Sequence, residues 1–90
     1  MVKISWTNEA QNWLREIYDY IAIDNKATAS KVIHGIYDKV QILISFPKIG
    51  YLYEYNKENE IRILLYGHYR IAYLIKDQEH IDILGVFMEN

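Results

Sequence analysis

Residues 61–75 constrain the fold of this chain more than any other segment, because they have the pattern of two strands joined by a very short turn. The runs Glu60 to Tyr66 and Tyr69 to Lys76 are separated only by Gly67 and His68. Glycine readily adopts the positive φ that a two-residue turn between antiparallel strands needs. Most side chains of both runs are of the kind that proteins bury. The segment therefore predicts a β-hairpin that packs on the core.

Two arginines stand among these apolar side chains, Arg62 in the first run and Arg70 in the second. A guanidinium stays ionised at physiological pH and is almost never buried unless it is paired. Each arginine must therefore face solvent, an internal carboxylate or an external anion. For Arg62, pairing with Glu60 or Asp82 on the sheet and contact with a partner protein both remain open.

Two amphipathic helices are predicted before the hairpin. Thr7 or Asn8 offers an N-cap, and apolar residues recur from Ala10 to Ile21 at helical spacing. Asp24-Asn25 interrupts this pattern and can cap a second helix, whose apolar stripe ends at Phe46-Pro47. Because the break is short, the two helices should lie antiparallel as a helical hairpin.

The remaining segments have the alternation that is typical of strands. These segments are Val2 to Trp6, Tyr51 to Tyr55 and His80 to Phe87. A polar turn at residues 56–59 precedes the strand from Glu60, and a second polar turn at residues 77–79 precedes the strand from His80. The order is β-α-α-β-β-β-β. It predicts an α+β domain in which the helical hairpin packs on one face of an antiparallel sheet.

Composition narrows the classes of function. Ninety residues suffice for a single domain, residues 1–90, and a chain with no cysteine has neither a disulfide nor a thiolate metal site. The three histidines are far apart in the sequence, so we expect no metal and no cofactor. A net charge of −2 with scattered basic residues argues against binding nucleic acid through its phosphates.

No membrane association is expected. The longest uncharged run, Val40 to Pro47, has eight residues, whereas a helix needs roughly 20 to cross a bilayer. Polar residues interrupt every apolar stretch in residues 1–15, so no secretion signal is recognisable and a cytoplasmic location is expected.

Several short motifs occur in an order that resembles the RelE/ParE toxin superfamily of bacterial type II toxin–antitoxin modules, across essentially the whole chain. They are Trp-Thr-x-x-Ala at 6–10, a helix over Leu14 to Tyr20, Phe46-Pro47-x-x-Gly50, a strand with Arg62, Tyr69-Arg70-Ile71-x-Tyr73, and Ile83-Leu84-x-Val86. The resemblance implies a compact plasmid-stabilisation toxin that a cognate antitoxin holds inactive. The superfamily contains ribosome-dependent mRNA endonucleases and inhibitors of DNA gyrase.

The resemblance favours the ParE-like, gyrase-binding branch. Arg70 matches an arginine that the ribonuclease branch uses at the cleaved phosphate, and His68 is the only candidate acid or base beside it. That branch typically has basic residues before the Tyr-Arg motif and a proton carrier near the end of the last strand. This chain has Ile63, Leu64 and Leu65 in the first place and Phe87, Met88, Glu89 and Asn90 in the second. A methionine can neither accept nor donate the protons that cleavage requires.

We therefore expect a surface that binds proteins, carried by Arg62, Arg70, Tyr51, Tyr53, Tyr55 and Phe87. Tyrosine is enriched both in strands and at interfaces, so the three strand tyrosines also fit a packing role. The expected partners are the antitoxin and gyrase, with a homodimer or a heterotetramer with antitoxin as the assembly. Two alternatives stay open: a ribosome-dependent endonuclease acting on mRNA through Arg70 and His68, and an inactive toxin that retains only antitoxin binding.

Overall fold

The computed structural model describes residues 1–89. The elements are β1 (Lys3–Trp6), α1 (Asn8–Ala22), α2 (Lys26–Val40), a 3-10 turn (Gln41–Ile44), β2 (Tyr51–Tyr55), β3 (Glu60–Tyr66), β4 (Tyr69–Ile75) and β5 (His80–Met88). The predicted α+β class and the element order are confirmed. Asn90, which the sequence places in the single domain, lies outside the described residues.

The five strands form one sheet in the order β1-β5-β4-β3-β2. Strands β2 to β5 are antiparallel neighbours, but β1 pairs in parallel with β5. The sheet is therefore mixed rather than wholly antiparallel. The local alternation of apolar and polar residues predicts a strand at residues 3–6. It does not predict whether that strand runs parallel or antiparallel to β5, because the two helices and three other strands separate β1 from β5 in the chain.

Both predicted helix caps are present. The Thr7 hydroxyl oxygen accepts a hydrogen bond of 3.1 Å from the N–H of Ala10 and donates one of 2.7 Å to the carbonyl of Ile83. Asn25 accepts a hydrogen bond of 3.0 Å from the N–H of Thr28. Thr7 thus begins α1 and also joins it to β5. Within residues 1–89, neither helix combines the length and the apolar character that crossing a bilayer requires.

The helical hairpin covers one face of the sheet. Its buried side chains pack against those that β3, β4 and β5 direct to the same side, and the cluster consists of Ala10, Leu14, Ile17, Ile36, Val40, Leu43, Leu64, Ile71, Tyr73, Ile81, Ile83 and Val86. The described chain has no α-helix besides these two, and the 3-10 turn contributes Leu43 to the same core, so the opposite face of the sheet carries no second layer.

Tyr73 is the largest fully buried side chain and carries the main polar contact of the core. Its hydroxyl donates a hydrogen bond of 2.7 Å to the carbonyl of Pro47 and accepts one of 3.0 Å from the N–H of Gly50. Burial raises the pKa of Tyr73, with a smaller opposing effect from the Gly50 hydrogen bond. Tyr73 therefore fixes the segment that leads the chain from the helices into β2.

The substitution Tyr73→Phe should lower the free energy of unfolding by about 1–3 kcal/mol, because it leaves the buried N–H of Gly50 without its acceptor. Urea unfolding of the purified chain measures this change. Tyr55→Phe is the matched control, since the Tyr55 side chain is 72% exposed. Equal stability of the two variants would contradict the role given to the Tyr73 hydroxyl.

Candidate protein-binding face of the sheet

The uncovered face of the sheet contains a cleft of about 580 Å³, which we call the sheet cleft. Cross-strand partners lie on the same face of a sheet, and the pairs Ile63↔Ala72 and Arg70↔Phe87 both face away from the helices. Strand β2 forms one wall of the cleft and the end of β5 forms the other. Its lining includes Tyr51, Tyr53, Ile63, Arg70, Ala72 and Phe87.

Four of the six residues predicted to bind a partner thus come together in the sheet cleft: Tyr51, Tyr53, Arg70 and Phe87. Tyr55 and Arg62 are not part of its lining. Tyr55 is an exposed residue at the end of β2, opposite Glu60 of β3. The sequence could group the four residues only through the family resemblance, because their proximity depends on the register of three strand pairs.

Arg62 lies on the helix-covered face and is paired within the chain. Its Nε donates to the Glu60 carboxylate at 2.8 Å, and its Nη1 donates to the carbonyls of Gly50 at 2.7 Å and Lys48 at 3.1 Å. The Arg62 side chain is only 18% exposed. Of the two interpretations left open by the sequence, pairing with Glu60 is therefore present. Arg62 and Tyr73 together hold the segment before β2.

Arg70 lies in the sheet cleft and contacts Glu89, a carboxylate 19 residues away with which no sequence pattern connects it. Its Nη2 lies 2.9 Å from Oε1 of Glu89, and the two side chains are 45% and 40% exposed. The hydrogen bond that Arg70 donates to Glu89, followed by the charge of that carboxylate, raises the pKa of Arg70. The only cation that the described residues place in the lining of the cleft is therefore paired with an acid of the same chain.

Phe87 connects the sheet cleft to helix α1. Strand β1 ends opposite Ile83, so the later residues of β5 have no strand beside them on that side. Trp13 of α1 covers this edge, with its ring centroid 4.9 Å from that of Phe87 at an interplanar angle of 65°. Met88 lines both the cleft and a smaller groove along α1. The apolar surface is thus continuous around the edge of β5, and neither Trp13 nor Met88 was predicted to belong to it.

His68 occupies the turn between β3 and β4, where its carbonyl accepts a hydrogen bond of 2.6 Å from the N–H of Glu89. It is not among the residues that line the sheet cleft. A further His–Asp pair, His80 with Asp77 at 2.8 Å, lies in the turn between β4 and β5. Hydrogen bonds from the N–H of Glu79 and from His80 lower the pKa of Asp77. Across residues 1–89 the structure contains no group of three metal-ligating side chains.

The fold is similar to that of a solved chain from the chromosomal ParDE TA system from P. aeruginosa. The TM-score is 0.77, the sequences are 22% identical, and the match covers 100% of this chain and 98% of the other. At this identity the likeness shows the fold alone. A search of curated proteins gave no significant match.

The family described as the ParE toxin of type II toxin–antitoxin system, parDE, matches residues 4–88. The match includes both helices and all five strands except Lys3, the first residue of β1. It confirms the resemblance to the RelE/ParE superfamily and the preference for its ParE branch. The chain therefore belongs to the ParE toxin family of type II toxin–antitoxin systems.

Proposed function

We propose that this chain acts as a toxin by binding DNA gyrase and blocking supercoiling, without breaking a covalent bond, and that a cognate antitoxin neutralises it by covering the sheet cleft. The observation that carries the proposal is the cleft itself, an apolar and aromatic surface with one paired arginine. Gyrase is the target that the family resemblance implies. The proposed surface comprises Arg70, Tyr51, Tyr53 and Phe87.

The chemistry of the sheet cleft supports binding of a protein. Aromatic residues and arginine are enriched in the buried centres of protein interfaces. A surface that follows a nucleic-acid backbone instead needs several cations in a row. Leu65 stands directly opposite Arg70 in the register of β3 and β4, and Ile63 is buried beside it. These are positions at which the ribonuclease branch carries basic residues.

A ribosome-dependent endonuclease is the second candidate, and the contact between Arg70 and Glu89 is the observation that favours it. A guanidinium can stabilise the charge of a phosphate in a transition state, and a carboxylate can accept the proton of a 2′-hydroxyl. Against it, the ion pair holds both groups together in the free chain, and the part of the chain that the structure describes places no second cation in the lining of the cleft.

The purified chain, free of antitoxin, should inhibit DNA supercoiling by gyrase at a several-fold molar excess. The small protein encoded by the reading frame adjacent to its gene should restore supercoiling. Gel analysis of plasmid topoisomers measures both effects. Absence of inhibition would refute gyrase as the target. Cleavage of ribosome-bound mRNA would then support the endonuclease, and normal growth on expression without antitoxin would indicate an inactive toxin.

Alanine substitutions of the two strand arginines should have different effects: one should mainly weaken antitoxin binding, and the other should mainly lower the stability of the fold. Arg70→Ala should leave the urea unfolding midpoint nearly unchanged, because exposed ion pairs contribute little, and should weaken antitoxin binding at least about tenfold, as is common for a central arginine of an interface. Calorimetric titration with the antitoxin measures the affinity.

Arg62→Ala is the matched control for Arg70→Ala. It should lower the free energy of unfolding by about 1–3 kcal/mol, because Arg62 donates charge-assisted hydrogen bonds to two carbonyls and to Glu60. Because Tyr73 still holds the segment before β2, Arg62→Ala should weaken antitoxin binding much less than Arg70→Ala does. If both variants lost affinity equally, the assignment of the cleft as the binding surface would be wrong.

A further inference from the structure

Glu89 lies where β5 ends, immediately after its last residue, Met88. Its backbone N–H is bonded to the carbonyl of His68, so the backbone position of Glu89 is fixed beside the turn between β3 and β4. Its side chain extends to Arg70 and remains 40% exposed. The carboxylate can therefore leave Arg70 by side-chain rotation, without loss of a strand.

The pair leaves the sheet cleft with no uncompensated charge. Within residues 1–89, Arg70 is the only cation and Glu89 the only acid that lines the cleft, and the other lining residues are apolar or tyrosine. A partner segment that brings an acidic side chain can take the place of Glu89 at Arg70 only if Glu89, which is 40% exposed, turns away to solvent. A segment without an acidic side chain would leave the ion pair in place and would form no ion pair of its own with Arg70.

The geometry of the pair shows why an exchange can be favourable. The contact runs through one nitrogen of Arg70, Nη2, to one oxygen of Glu89, Oε1. A guanidinium can donate two parallel hydrogen bonds to a carboxylate, and such bidentate pairs are the stronger ones. An incoming carboxylate that approaches end-on would therefore gain a bond that Glu89 does not make.

We propose that Glu89 is an internal ligand of Arg70, which a carboxylate of the antitoxin displaces when an apolar segment of that protein occupies the sheet cleft. This inference rests on the proposed function, because it takes the antitoxin as the occupant of the cleft. Glu89 competes with the partner for the same guanidinium and so weakens the complex. The affinity of the toxin for its antitoxin is thus set in part by an acidic residue of the toxin.

The substitution Glu89→Gln tests the proposal, because it removes the charge and keeps the size of the side chain. It should tighten binding of the antitoxin from the adjacent reading frame about two- to five-fold at low ionic strength, the range expected for release of an exposed ion pair. The gain should shrink in high salt, which screens exposed charges. Calorimetric titration gives the dissociation constant of each variant.

Glu79→Gln is the matched control for Glu89→Gln. Glu79 is an exposed acid that immediately precedes β5, whereas Glu89 immediately follows it, and both substitutions change the net charge equally. It should leave the affinity unchanged. In an Arg70→Ala background, Glu89→Gln should also have no effect, because the two residues act as a coupled pair. The Arg70 Nε–H resonance of the free chain should shift in Glu89→Gln and not in Glu79→Gln.

Two kinds of failure are distinguishable. If the wild-type chain does not bind the antitoxin, the proposed function fails and this inference fails with it. If wild-type binding is measurable but Glu89→Gln binds equally or more weakly, only the inference is overturned. A gain of the same size in Glu79→Gln, or in the Arg70→Ala background, also overturns it, since the effect would then arise from net charge alone.

Discussion

One extra residue in β5 determines both the core and the cleft of this protein. From Ile75↔Ile81 to Tyr73↔Ile83 the strands β4 and β5 pair in one register, and from Ala72↔Gly85 onward the register is shifted by one residue. Leu84 is the residue inserted at this bulge. Because side chains alternate between faces, a shift by one residue moves every later side chain of β5 to the other face. Without the bulge, Phe87 would enter the core and Val86 would face outward.

The wall of the cleft formed by β2 depends on polar contacts on the opposite side of the sheet. Strand β2 is an edge strand whose five residues are all exposed, so few contacts of its own hold it in place. Tyr73 and Arg62 instead fix the segment before it, and Gly50 is buried where a β-carbon would lie only 2.6 Å from the carbonyl of Ile63. The position of Tyr51 in the cleft therefore follows from hydrogen bonds beneath the sheet.

Much of the fold could be predicted from the sequence, because the signals involved are local. The turn at Gly67, which has a φ of 56°, and both helix caps depend on residues only a few positions apart. The parallel direction of β1 and the bulge at Leu84 could not be predicted. Both are chosen by packing between distant segments. The close contact between Gly35 and the Tyr66 hydroxyl could not be predicted either, because the two residues are far apart in the sequence.

The site was predictable only in part, for the same reason. The family resemblance selected Arg70, but its partner Glu89 is 19 residues away. If β4 and β5 paired without the bulge, in the register that begins at the turn of residues 77–79, Val86 would lie opposite Arg70 in place of Phe87. Glu89 would then face the helices. For Arg62, the sequence named the correct carboxylate, Glu60, because these residues are two positions apart on the same face of one strand.

The uncovered face is neither a normal solvated surface nor a second core. Ile63 and Ala72 are only 6% and 8% exposed although no second layer covers them, whereas Tyr51 and Phe87 beside them are 46% and 39% exposed. The aromatic side chains thus shield the small apolar residues and remain half in water themselves. A partner segment that covered these rings would remove their remaining apolar surface from water, which lowers the free energy of the complex. If the segment brought an acidic side chain, that side chain would have to compete with Glu89 for Arg70, since these two residues form the ion pair in the described lining of the cleft.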